Sequence, residues 1–212
     1  MFFPLIIALL FLTGCNSGNS GKDEKNVYAI IPAPLSLTEL PGKFTFREKS
    51  KIIVSPLNEQ TKLSADFLAS LVRNATGYEL QIVEGNKAQN GSVLMAVDTS
   101  VKSPEGYILS VSRGKIVIKA GTPAGMFYAV QTVRQLMPPA VEKPFAGQAV
   151  TLSVPCCEIK DEPRFVYRGM HLDVGRHMFP LETIKRYIDL LAMHKFNYFH
   201  WHLTKIRDGE SK

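Results

Sequence analysis

Apolar positions recur at helical spacing in two stretches of the first 140 residues and alternate with polar ones in several others. Over residues 59–75, Leu63, Phe67, Leu68, Leu71, Val72 and Ala75 fall on one stripe and Gly77 supplies a stop, which predicts a helix. Pro123 opens a second helix that carries Met126, Phe127, Val130, Val133, Leu136 and Met137 and is halted by Pro138 and Pro139. Residues 51–54, 79–83 and 92–97 read as short strands. Residues 106–112 and 115–120 alternate around Arg113-Gly114 as the arms of a hairpin do. Residues 30–35 form an extended, proline-broken approach to these elements. Together they predict an α+β domain over residues 27–155, a sheet with two helices on one face. No nucleophile, base and acid group together in this stretch, so its expected role is packing or positioning.

The pattern changes after Pro155. Residues 165–174 form a largely apolar strand, residues 180–195 an amphipathic helix with Leu181, Ile184, Ile188 and Leu191 on one stripe, and residues 198–203 a second strand. A β-α-β unit of this length predicts parallel strands joined by a right-handed crossover. In such architectures functional groups gather at the C-terminal ends of the strands. Here those ends carry Asp173, Arg176 and His177, and His200, His202 and Thr204. All five histidines and the single tryptophan, Trp201, lie between His171 and His202. This is the chemically dense segment of the chain.

Composition narrows the class. With 45% hydrophobic residues among 212, the chain can build a core, which argues against a disordered or fibrous protein. The net charge of +6 comes from 25 basic and 19 acidic residues scattered along the chain without a basic run, so no nucleic-acid partner is expected. Three cysteines cannot make a disulfide-rich scaffold, and Cys156 and Cys157, adjacent in sequence, read as structural thiols. The length leaves no room for a complete (β/α)8 barrel behind another domain, since such a barrel takes about 250 residues.

The N-terminus reads as an address. An apolar run over residues 2–13, too short to span a bilayer comfortably, leads into Leu12-Thr13-Gly14-Cys15. This resembles a bacterial lipoprotein signal, with residues 1–14 removed and Cys15 acylated. The polar, Gly/Ser-rich residues 15–26 then predict a flexible tether. The expected localisation is that of an exported, membrane-anchored lipoprotein, periplasmic or at the cell surface, held in the membrane by lipid at Cys15.

The string Arg168-Gly169-Met170-His171-Leu172-Asp173-Val174-Gly175-Arg176-His177 resembles the first barrel strand of glycoside hydrolase family 20, the β-N-acetylhexosaminidases. Asn197-Tyr198-Phe199-His200-Trp201-His202-Leu203-Thr204 resembles the second. The Gly106-Tyr107-Ile108-Leu109 hairpin and the Ala124-Gly125-Met126-Phe127-Tyr128-Ala129 helix are similar to the family's N-terminal domain. The resemblance implies that residues 163–204 begin a (β/α)8 TIM barrel. It also implies retaining hydrolysis of terminal β-linked N-acetylhexosamine from glycans, with the substrate's own acetamido oxygen as nucleophile, an exception to the two-carboxylate scheme. In the family an Asp orients the acetamido group and a Glu serves as general acid, then base. Both belong to a later strand, beyond residue 212, so no catalytic residue is assigned here. No cofactor and no metal are implied.

Arg176 matches the family arginine that binds sugar hydroxyls, a role suited to a permanently charged, rigid fork of donors. Asp173, three residues earlier, is placed to orient it, and Arg168 reads as architectural. His200 and His202 share a strand face, since strand side chains alternate, and are expected to pack and hydrogen-bond under the sugar site. A His-x-His pair also resembles the metal ligands of amidohydrolase barrels, a rival that needs further ligands from later strands. A second reading is a non-catalytic surface lipoprotein that binds glycan or protein through the small domain.

The tail 205–212 departs from the family, which continues with two acidic residues and then Q-G-W-R. Lys205 stands at the first acidic position. Restoring one G after an ACG codon for Thr204 converts a permitted codon choice for the tail into T-E-D-Q-G-W-R-I-E, a family-like continuation. A lost base in the DNA is one reading, beside a gene-model artefact and a genuine short product, and codons that differ from this choice or the lack of a barrel reading frame downstream would overturn it. On this reading the 212-residue chain is a truncated form without hexosaminidase activity of its own, and the segment beyond Pro163 is expected to pack poorly.

Overall fold

The computed structural model describes residues 28–147, 150–175 and 177–203. Nine strands and three α-helices form two sheets. The larger holds β1 (Ser36–Thr45), β2 (Lys51–Ser55), β3 (Gln81–Glu84), β4 (Ser92–Val97), β5 (Tyr107–Val111), β6 (Lys115–Ala120) and β7 (Ser153–Asp161), in the order β1-β7-β5-β6-β4-β2-β3. Its β3, β2, β4 and β6 run parallel, whereas β5 pairs antiparallel with β6 and β7, and β1 with β7. The expected hairpin is β5–β6, closed where the Ser112 N–H donates to the Lys115 carbonyl at 3.0 Å.

Alternation divides the sheet into two faces. Ile52 and Val54, Val93 and Met95, Ile116 and Ile118, Leu109 and Val111, and Ile159 sit in register across five strands and are all buried. The helices α1 (Glu59–Thr76) and α2 (Pro123–Leu136) cover this face and touch each other, α1 over β2 and α2 over β4 to β7. Asn58 caps α1 through a reciprocal box with Thr61, and Gly77 ends it at φ 78°, a left-handed conformation that costs glycine little. Thr122 caps α2 in front of Pro123. The buried stripe of α1 runs through Ala65, Leu68, Val72 and Ala75, while Leu63, expected on it, is 69% exposed. Thr61 and Ser64 face the sheet in its place, since small residues let the helix lie close.

Two strands depart from the sequence expectation. β1 contains Pro41 and Gly42 at a register shift between Glu39 and Lys43, and it survives as an edge strand because a bulge there needs no donor from proline. β7 runs to Asp161, so the sheet extends beyond the boundary expected at Pro155. The β5 ladder stops at Cys157, which leaves Pro155 paired to β1 alone.

The second unit is β8 (Gly169–Asp173), α3 (Leu181–Met193) and β9 (Tyr198–His202), with β8 and β9 parallel. The strand expected from residue 165 begins only at Gly169. Phe165, Val166 and Tyr167 lie on the surface, Val166 at 86% exposure, because the Arg168 guanidinium folds back to donate to the Phe165 carbonyl at 2.8 Å. Past Pro163, α3 lies against α2, and Val174, Ile184, Leu191 and Lys195 are buried. The outward residues Met178, Leu181, Tyr198 and Leu203 are exposed. No helix among the described residues is long and apolar enough to cross a membrane.

Candidate functional site

Register decides which side chains meet on the small sheet. Gly169, His171 and Asp173 stand opposite Tyr198, His200 and His202, while Met170 and Leu172 stand opposite Phe199 and Trp201. The second set turns toward α3, where the Tyr187 and Phe199 rings are 5.7 Å apart and Trp201 stacks beyond Phe199 at 6.0 Å. The first set therefore forms a polar face away from the helix.

At the C-terminal end of that face, Asp173 Oδ1 accepts from the Gly175 N–H at 2.8 Å and lies 3.2 Å from His202 Nδ1. The Val174 N–H donates to the His202 carbonyl at 3.0 Å, extending the pairing past the last strand residue. The rings of His171 and His200 are 4.7 Å apart, and His171 and His202 6.1 Å. A carboxylate and three imidazoles on one face make a surface that can both accept and donate hydrogen bonds. Among the described residues no three His, Cys, Asp or Glu side chains are placed to hold a metal ion, so the His200–His202 pair finds no third ligand there. Arg176 and Cys15, and the tail from Thr204, lie outside the described residues.

A second polar cluster, which the sequence did not reveal, lies where the two units meet. Arg168 fits the architectural reading: its Nε donates to the Lys195 carbonyl at 2.8 Å, Nη1 to Glu105 Oε2 at 2.9 Å and Nη2 to the Tyr128 hydroxyl at 3.2 Å. Asn197 completes a clasp, with its Oδ1 accepting from the Arg168 N–H at 2.9 Å and its Nδ2 donating to the Val166 carbonyl at 2.8 Å and to Glu105 Oε1 at 3.3 Å. Beside it, Lys195 Nζ donates to Asp161 Oδ2 and to the Tyr107 hydroxyl, each at 2.8 Å, and Tyr107 donates to the same carboxylate oxygen. Lys195 is 5% exposed and takes a left-handed φ of 60°, which turns its side chain inward from the end of α3.

Electrostatics follow burial. Desolvation pushes the Tyr107 hydroxyl well above its ordinary value, with the Asp161 charge adding to it. It pulls the Lys195 ammonium down, against the attraction of Asp161. Burial alone would raise the Glu105 carboxyl, but the hydrogen bond and charge of Arg168, with Asn197 and Tyr128, outweigh it and leave it below the usual range. A cavity of about 370 Å³ opens at this junction, walled by Pro32, Leu35, Pro163 and Phe165 with Arg168 and Lys195 at its base. The signals were present as the Gly-Tyr of the hairpin and the Gly-x-x-Tyr of α2, but the Arg168, Asp161 and Lys195 groups they touch are 40 to 88 residues away.

A small mixed-sheet domain is thus docked on a parallel β-α-β unit whose strand ends are polar. Residues 27–162 match the pattern of glycosyl hydrolase family 20, domain 2, and residues 165–207 that of the family 20 catalytic domain. The chain belongs to glycosyl hydrolase family 20. It is 41% identical over 177 residues to a β-hexosaminidase of Porphyromonas gingivalis, covering 83% of this chain and 22% of that protein. With a β-hexosaminidase of Vibrio furnissii it shares 35% identity, covering 83% of this chain and 26% of the relative. The family 20 β-N-acetylhexosaminidase of Streptomyces coelicolor A3(2) superposes with a TM-score of 0.75 at 36% identity, over 83% of this chain and 35% of that one. A mutant Streptomyces plicatus β-hexosaminidase in complex with the product GlcNAc gives 0.74 at 35% identity, over 84% and 34%. The chain thus spans between about a fifth and a third of the length of these relatives.

Proposed function

We propose that this chain is the opening part of a retaining, substrate-assisted β-N-acetylhexosaminidase that removes terminal N-acetylhexosamine from glycans. In this reading β8-α3-β9 is the first strand–helix–strand of a (β/α)8 barrel. The observation that carries it is the pairing of two family 20 domains in one chain with a polar face at the register of His171, Asp173, His200 and His202. That face is turned away from α3, as the interior of a barrel must be. The product-bound relative supports an N-acetylhexosamine ligand.

The role given to Arg176 follows from the family resemblance, and the chemistry of a guanidinium suits it. Arg176 binds sugar hydroxyls, and Asp173 with His202 supports the strand end beside it. Proton transfer to the leaving oxygen belongs to the acid–base Glu that the family resemblance puts on a later strand, with its Asp partner holding the acetamido group. Cys15 is proposed to carry the lipid that holds the protein to a membrane.

The deciding experiment measures hydrolysis of a chromogenic N-acetylglucosaminide by the longer polypeptide read in the family frame past Thr204, with the anomeric product followed by NMR. Turnover with retention supports the reading. Arg176→Ala then lowers kcat/KM on the order of 100-fold, as expected for the loss of charged hydrogen bonds. Binding of N-acetylhexosamine without any turnover would replace it with the glycan-binding alternative, and inversion would rule out the acetamido nucleophile. Failure of Cys15→Ser to release the protein from membranes would sink the anchor.

A further inference from the structure

Glu105 stands on a loop of the small domain, yet every partner of its carboxylate serves the other unit or its dock. Oε2 takes the Arg168 guanidinium, while Oε1 accepts from Asn197 Nδ2 and from the Tyr128 hydroxyl at 3.2 Å. Arg168 and Asn197 are the residues immediately before β8 and β9. Their backbones are joined there, since the Asn197 N–H donates to the Arg168 carbonyl at 3.0 Å and the Tyr198 N–H to the same oxygen at 3.2 Å. One carboxylate thus grips the starting points of both strands at once.

The loop that carries it is itself fixed. Thr122 Oγ1 donates to the Pro104 carbonyl at 2.6 Å, and the Gly121 N–H to the Gly106 carbonyl at 3.2 Å. Gly121 and Gly125 let the loop backbone approach so closely that a Cβ on either would collide with the Ser103 or Gly106 carbonyl oxygen. Glu105 is therefore a preset point on the small domain. The ion pair it makes is mostly buried, with side-chain exposures of 23% and 15%, a setting in which charge pairs select one geometry more than they add stability.

We propose that Glu105 is a positioning residue, through which the small domain sets the pose of β8 and β9 and hence of the polar strand ends. Its effect on turnover rests on the function proposed above; its effect on the strands does not. Glu105→Gln keeps the shape of the side chain and removes the charge that orders Arg168. In the 212-residue chain, amide hydrogen exchange over residues 169–173 and 198–202 speeds up about tenfold, while exchange in β4 and β6 is unchanged. Glu105→Asp, shorter by one methylene, gives a smaller change in the same segments, and the exposed neighbour Glu162→Gln gives none.

In the protein that hydrolyses the chromogenic substrate, Glu105→Gln lowers kcat/KM about 10- to 100-fold with a raised KM, measured at a temperature where both proteins are fully folded. Unchanged exchange in β8 and β9 in both Glu105 variants, or an equal acceleration in β4 and β6, would overturn the proposal. So would a fall in melting midpoint with KM untouched. Absence of turnover in the unsubstituted protein would instead count against the enzymatic reading, and the exchange result would still decide the role of Glu105.

Discussion

Lys195 Nζ lies 2.8 Å from Asp161 Oδ2, and the two side chains keep only 7% and 11% of their surface in contact with solvent. The pair joins the last residues of β7 to the turn between α3 and β9, with the Tyr107 ring 5.0 Å beneath the ammonium. Removing one partner strands the other in the interior. Lys195→Met is expected to cost about 3–5 kcal/mol in chemical denaturation. The combined Asp161→Leu and Lys195→Met change should recover most of that loss, and a double variant no better than the single one would show that packing around Tyr107 dominates.

Asp98 supplies an acid-sensitive contact in the small domain. Hydrogen bonds from the Ser100 hydroxyl and backbone N–H, together with Lys119 at 3.1 Å, hold its carboxyl at about 2 against an ordinary 3.8. Because the folded value is the lower one, the stabilisation is complete above pH of about 4 and fades as pH falls toward about 2. Urea midpoints of the native chain and Asp98→Asn should therefore converge over that interval. Parallel curves would exclude Asp98 as the source.

Burial makes the β7 thiols unreactive. Desolvation, with the neighbouring Cys156, pushes Cys157 up to about 12, and burial also raises Cys156 although Arg113 opposes it. In a chain carrying Cys15→Ser, a thiol reagent at neutral pH should label neither residue while the fold persists and both in denaturant. Rapid labelling of the folded chain would mean that β7 opens locally.

Gly125 is a packing requirement. It faces the Gly106 carbonyl across the α2 boundary, and Gly125→Ala drives a methyl group into that oxygen. A loss of about 1–3 kcal/mol is expected, as for other overpacked sites, and thermal melts would read it directly. A neutral result would imply that the 98–106 loop moves aside, which hydrogen exchange in β8 would then report.

Local pattern carried much of the fold. The Gly77 stop of α1, the Pro123 start of α2, the β5–β6 hairpin and the parallel β8–β9 pair all follow from signals within a few residues of the elements they define. β1 and β7 were hidden because each contains a proline that reads as a break, and only the partner strand shows which donors the ladder does without. The polar strand ends were legible because parallel strands place function at one end. The junction was not: Glu105 and Arg168 are 63 residues apart, and Tyr107 and Lys195 88, so their pairing is a property of the docked units.

The grip on β8 and β9 lies at Arg168 and Asn197, where the strands start, and Asp173 and His202 lie at the opposite tips. Foundation and working surface are thus separated by the length of a strand. Loops grafted beyond Val174 or Leu203 can be varied while the mounting stays intact, so libraries aimed at the strand tips should leave residues 105, 161, 168, 195 and 197 alone.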